Sequence, residues 1–178
     1  MVILLKEPIN IVFLGSVDES IASELKHRLM PYNIKLRFLL NEPEPSDSFY
    51  NRFRGQYKAE FIIDSFKKRV GRFIFITPRD LYSRTTSFLF SMREPEDRAI
   101  VSYFRMNPAF YGRMPDSEIM MTRLTKEVLH NIGLMTGLKY CSSPCIMARS
   151  TCIEAIDEKA TNFCNNCRSS LTIVGYDV

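Results

Sequence analysis

The sequence predicts an α/β fold: a mixed, mostly parallel twisted sheet with one antiparallel edge strand, in a single domain spanning residues 1–178. Three observations predict it. Short apolar, β-branched runs alternate with amphipathic helical stretches through the first half of the chain, and strands separated by helices build parallel sheets. Two further runs, TSFLFSM (86–92) and RAIVSYFRM (98–106), then follow each other across the polar turn REPED, which places one antiparallel strand at an edge. Finally, 178 residues, 46% hydrophobic and 25% charged, suit one domain around one substantial core.

Each element has its own signal. INIVFLG (9–15) is a buried strand ending in glycine. VDESIASELKHRLM (17–30) carries apolar residues at helical spacing. IKLRFLL (34–40) alternates as a second strand and stops at the loop NEPEPSDS (41–48). GQYKAEFIIDSFKKRV (55–70) reads as an amphipathic helix and RFIFIT (72–77) as a third strand. After the two adjacent strands a long helix begins beyond Pro115, with Asp116 as N-cap and Glu118 complementing the dipole. Its apolar stripe is Met121, Leu124, Val128, Ile132 and Met135. At ~100° per residue, His130 stands opposite that stripe. Its flanks, Lys126, Gly133, Leu134 and Gly137, are not those of a solvated face, so another segment, a cleft or a partner covers it.

No apolar run reaches the ~18–20 residues of a membrane span. The opening MVILLKEPINIVFLG lacks a basic leader region and is interrupted by Lys6, Glu7 and Pro8, so it does not read as a signal peptide and a cytoplasmic location is expected. The net charge of +4 is mild, and its densest cluster, FKKRVGR (66–72), reads as a solvated helix end rather than a nucleic-acid surface. The five cysteines are more telling. Cys141 with Cys145 and Cys164 with Cys167 form two close pairs. In a reducing compartment such pairs suggest a metal before disulfides, and soft thiolates suit tetrahedral zinc. Four reduced thiols packed among apolar neighbours is the alternative. Cys152 is read as a small buried apolar residue.

The stretch LTKEVLHNIGLMTGLKYCSSPCIM (124–147), with the segments INIVFLGSVD, GQYKAEFII, FITPRDLY and SFLFS in that order, resembles the archaemetzincins, zinc metallopeptidases related to the metzincins. Their signature runs H-E-x-x-H-x-x-G-x-x-H-C, four residues, C-M, about seventeen residues, then C-x-x-C. The resemblance implies a metzincin-like domain with a long active-site helix and a C-terminal four-cysteine zinc subsite. Reading KEVLH as the altered H-E-x-x-H leaves a four-residue gap before the first cysteine. Taking His130 as the first histidine instead puts Gly137 on the motif glycine and Cys141 directly after the third ligand position.

In that register the catalytic positions are degenerate. His130 remains, but Asn131 replaces the glutamate, Leu134 the second histidine and Tyr140 the third. Catalytic zinc needs three protein ligands and an open position, and Asn131 cannot act as the base that activates water. The only other histidine, His27, lies on the first helix. The resemblance implies one structural zinc on Cys141, Cys145, Cys164 and Cys167, although three residues rather than four follow Cys141 and sixteen follow Met147. Met147 matches the methionine beneath the family's catalytic zinc, and TSFLFSM the edge strand along which metzincin relatives lay peptides.

The expectation is a zinc-binding, catalytically inactive metallopeptidase homologue that retains a peptide-binding cleft, with a peptide or protein partner and no membrane. Two alternatives stand beside it. One is an active peptidase with an atypical site formed by His130 with Tyr140, Glu127 or a ligand from elsewhere in the chain. The other is a zinc-ribbon-like nucleic-acid binder using the cysteines and FKKRVGR.

Overall fold

The structure, a computed structural model, describes residues 7–95, 97–142 and 144–173. Residues 1–6, the start of the stretch read as lacking a leader, and Glu96 of the REPED turn lie outside it. Strand β1 (Ile9–Leu14) is buried along its whole length, as are β5 (Arg72–Thr77) and β8 (Arg98–Ser102). Uninterrupted burial is what parallel strands covered on both faces require. With β2 (Leu36–Glu42) and β7 (Ser91–Arg93) they form a five-stranded sheet in the order β2-β1-β5-β8-β7. Three neighbour pairs are parallel, and β7 alone is antiparallel, at the edge, as the sequence predicts.

Alternation along these strands makes two cores. Ile9, Ile11 and Phe13 of β1 face α1 (Glu19–Leu29) and α3 (Ser117–Met135), packing with Leu25, Leu124 and Val128. Val12 and Leu14 face the other way, against Ile62 and Ile63 of α2 (Ala59–Ser65). The period-2 side-chain direction of a strand is thus enough to split one run of apolar residues between two layers of helix.

Several boundaries differ from expectation, each because tertiary pairing overrides local pattern. The helix expected over 55–70 is only α2. Residues Gln56–Lys58 instead form β4, which pairs with β3 (Tyr50–Asn51) and β6 (Leu81–Tyr82) in a small second sheet. Gln56 is buried there, with Nε2 donating to the carbonyls of Leu81 and Ser87. TSFLFSM contributes only its last two residues to β7. Before them the chain crosses between sheets, with Leu89 N–H donating to Leu81 O and Ser102 N–H to Phe90 O. The second run of that pair ends as a 3-10 turn over Phe104–Met106.

Helix α3 starts as expected: Asp116 Oδ1 accepts from Ile119 N–H at 2.9 Å. It ends at Met135, and Gly137 (φ +95°) is not on the helical face but in the left-handed turn beyond it. Two helices unanticipated in the sequence, α4 (Ile153–Glu158) and α5 (Asn165–Ile173), follow. The loops and helices after α3 cover the His130 face, so α3 is buried nearly all round, Lys126, Glu127, His130 and Asn131 included. Gly133 is required for that closure. A Cβ there would lie 2.4 Å from Met147 Sδ, and Met147 is wholly buried beneath the helix.

Candidate metal centre and the motif helix

Cys141 leaves the turn after α3, Cys145 sits buried in the loop that folds back under it, and Cys164 and Cys167 flank the start of α5. That loop is pinned by Cys141 N–H donating to Met147 O and Ile146 N–H to Asn162 O. The four sulfurs lie within 4.8 Å of one another, and among the described residues they are the one cluster of three or more potential metal ligands. Cys141 and Cys164 Sγ are 3.9 Å apart. Four Zn–S bonds of about 2.3 Å put tetrahedral sulfurs about 3.8 Å apart. The cluster is therefore already at chelating size.

Its electrostatics point the same way. Cys145 Sγ accepts from the backbone N–H groups of Met147 and Cys164, at 3.5 and 3.3 Å. The Cys167 backbone N–H holds the Cys164 thiol down, at about 6. Burial pushes the Cys145 and Cys167 thiols up. So one sulfur is ready to be a thiolate while its neighbours resist, and a divalent cation reverses that resistance. Cys152 stands apart. It is exposed at the start of α4, contrary to the buried residue expected, because α4 turns Ile153 and Ile156 inward instead.

The motif positions on α3 are arranged differently. His130 is buried, and its Nδ1 lies 2.9 Å from the carbonyl oxygen of Ile146. Burial pushes its pKa down; Glu127 opposes this, while Lys159 and Arg93 add to it. Asn131 turns back on its own helix and donates to Glu127 O at 2.8 Å. Leu134 is part of the core, and its carbonyl accepts from Arg93 Nη1 at 3.4 Å. Tyr140 is half exposed, its ring 5.6 Å from that of His130 and 4.0 Å beneath the Arg149 guanidinium. A catalytic zinc does not fit these residues: one imidazole is present, and the groups around it are an amide, a leucine, a phenol and cations.

Nor does Glu127 complete a site with His130 and Tyr140. Its Oε1 accepts from Lys159 Nζ at 2.8 Å and Ser150 Oγ at 3.0 Å, and its Oε2 from Ser91 Oγ at 2.8 Å. Burial penalises this carboxylate most, but the Lys159 ammonium, His130 and the Ser91 hydrogen bond together outweigh the penalty and hold its pKa below the ordinary value. Glu127 thus binds β7, the Ser150 loop and the end of α4 to the motif helix. Ser91, Ser150 and Lys159 give no sign of this in the sequence, where they are ordinary polar residues of strand, loop and helix end.

FKKRVGR is largely engaged within the fold. Arg69 pairs with Glu42 at 2.7 Å and lies over the Phe66 ring, and Arg72 is buried. Lys67 pairs with Asp64. Among the described residues no helix is long and apolar enough to cross a membrane.

Comparison with known proteins agrees with this geometry. The family model for Peptidase family M54 matches residues 20–172. The archaemetzincin of Saccharolobus solfataricus is 34% identical over 167 residues, covering 89% of this chain and 90% of the relative. That of Archaeoglobus fulgidus is 33% identical over 138 residues, covering 75% and 80%. Among solved structures, the archaemetzincin of Methanopyrus kandleri superposes with a TM-score of 0.77 at 26% identity, covering 94% of this chain and 95% of that one. The malonate complex of the A. fulgidus protein gives 0.75 at 28%, covering 90% and 98%. A zinc-dependent peptidase from Methanocorpusculum labreanum gives 0.74 at 25%, covering 91% and 99%. With the four cysteines gathered behind a long buried helix on a mixed sheet, these matches place the chain in Peptidase family M54, the archaemetzincins.

Proposed function

We propose that this chain is a non-hydrolytic archaemetzincin: one structural zinc on Cys141, Cys145, Cys164 and Cys167, no catalytic zinc, and a retained cleft that binds peptide without cutting it. The observation that carries this reading is the closed arrangement around His130. Hydrolysis by this family's chemistry needs three ligands, an open coordination position and a base for water. Here Asn131 serves the helix backbone, Leu134 the core, and Glu127 an internal ion pair. Thiolates at Cys141, Cys145, Cys164 and Cys167 would hold the structural ion, which ties the turn after α3 to α5 and supplies folding energy rather than chemistry.

The edge of the sheet supports a peptide-binding role. Glu94 N–H donates to Arg98 O, and Phe90 O accepts from Ser102 N–H. By alternation, Ser91 and Arg93 turn their main-chain groups away from β8. That is the geometry for adding an extended peptide to β7. The nucleic-acid reading through FKKRVGR loses ground, because Arg69 and Arg72 of that cluster work inside the fold.

The test is hydrolysis of a mixed fluorogenic peptide library by the zinc-loaded protein. The expected rate is that of buffer. Turnover that chelation abolishes and added zinc restores would overturn the non-hydrolytic reading.

A further inference from the structure

A second surface lies on the α2 side of the sheet, away from the motif helix. The β3–β4 hairpin carries Arg52-Phe53-Arg54 at its tip, and Phe53 is fully exposed. The tip is not loose. Asn51 Oδ1 accepts from the N–H groups of both Phe53 and Arg54, at 3.0 and 3.2 Å. A large apolar ring held in water on a fixed turn calls for an explanation in a way that a scattered exposed leucine does not.

The surroundings supply one. A shallow cavity of about 390 Å³ runs beside the tip, walled by Tyr50, Phe53, Phe61 and Tyr82. It shares Phe61 with a second cavity of about 440 Å³, walled by Lys58, Lys67 and Arg84 among others. Cations and rings alternate along this path: the Arg54 guanidinium lies 4.7 Å over Tyr82, and Lys58 Nζ 4.4 Å over Phe61. Of the acids along it, Glu60 and Asp64 are paired with Arg84 and Lys67, and Glu94 stands at the far end of the second cavity. Among the described residues Arg52, Arg54 and Lys58 form no ion pair, which leaves the path a net positive charge.

We propose that this path binds single-stranded nucleic acid, with bases stacking on Phe53 and its neighbouring rings and phosphates meeting Arg52, Arg54 and Lys58. Exposed π-faces interleaved with uncompensated cations along a groove are what a flexible polyanion with aromatic side groups recognises. A bilayer would take up the Phe53 ring alone, whereas here Tyr50, Phe61 and Tyr82 line a concavity beside that ring. The path is separate from the four cysteines, and although its second cavity reaches Glu94 just beyond β7, the rings and cations named here lie on other elements, so it neither needs nor tests the peptide-binding reading.

The experiment uses the zinc-loaded protein and fluorescence anisotropy with a fluorescein-labelled oligouridylate of about 12 nucleotides, within the length range of such sites. Binding is expected at low salt. Log K should fall with log[salt] at a slope of about −2, the value for three phosphate contacts on a single strand. Phe53→Ala should weaken binding about tenfold or more without changing that slope. Arg52→Gln should reduce the slope by about 0.7. Both positions are exposed, so melting temperatures should match wild type. No anisotropy change at low salt would overturn the proposal. So would binding indifferent to Phe53→Ala, or Phe53-dependent binding to phosphatidylserine vesicles in place of the oligonucleotide.

Discussion

Lys159→Met removes the cation from the most deeply buried ion pair seen here while keeping an unbranched side chain that fills the same space. The Glu127 and Lys159 side chains are 3% and 1% exposed, with their charged atoms 2.8 Å apart. Deleting one partner of such a pair strands a charge in low dielectric and costs about 3–5 kcal/mol. The cost has a ceiling, because Glu127 can take up a proton instead, which at pH 7 costs a carboxyl of ordinary pKa about 4 kcal/mol. A loss of about 3–4 kcal/mol at pH 7 follows, and a fall in Tm of roughly 10 °C for a chain this size. The pH dependence sharpens the test. In the wild type Glu127 is held below its ordinary pKa, so its contribution is present above the ordinary carboxylate range and is lost only as pH falls through the lowered value. In the variant burial acts without Lys159 and raises that pKa above its unfolded value. The folded variant then gains protons as pH falls, and its deficit shrinks by up to about 1.4 kcal/mol per pH unit. Urea melts of both proteins at pH 7 and pH 5, compared at equal pH, measure this. A deficit under about 1 kcal/mol at pH 7, or one that does not narrow by pH 5, would refute the claim that Lys159 exists to hold a charged Glu127.

Cys164→Ser should destabilise the whole C-terminal half and abolish its zinc-dependent gain in Tm, because the metal ties the turn after α3 to α5 and structural zinc contributes ~10 kcal/mol or more. Cys152→Ser, exposed at the start of α4, should stay within about 0.5 kcal/mol of wild type by urea melt. Gly133→Ala drives a Cβ into Met147 and Phe163. Overpacking costs about 1–3 kcal/mol against the ~1 kcal/mol that alanine adds to a helix over glycine, so a net loss of up to about 2 kcal/mol is expected. The triple variant Asn131→Glu, Leu134→His, Tyr140→His rebuilds the family motif around His130 and should bind one additional zinc by elemental analysis. The single variants should not, since two ligands hold catalytic zinc poorly.

Much of the fold is legible in the sequence because its strands are short, wholly apolar and punctuated by helices of clear period. INIVFL and RFIFIT could be nothing but buried strands, and Asp116 announces its helix. The helix expected over 55–70 fails at 56–58 for a physical reason: the Gln56 side chain and the Tyr57 main chain gain bonds to Asp80, Leu81 and Ser87, far along the chain, which no local pattern reports. Cys152 misleads because its burial is decided by which way α4 faces. The four-cysteine centre is legible from spacing, while the clasp of Glu127 by Lys159, Ser150 and Ser91 is not, since it joins four separate segments. The covering of the His130 face lies between these cases: its apolar composition announces a cover, and only the structure identifies the segment that provides it.

Zinc counted per chain by elemental analysis, after purification in zinc-containing buffer and exhaustive gel filtration, tests the central claim most directly. The account predicts one zinc per chain, falling to none in Cys164→Ser and unchanged in His130→Ala. Two zincs per wild-type chain, with one of them lost in His130→Ala, would contradict it, as would a wild-type chain that retains none.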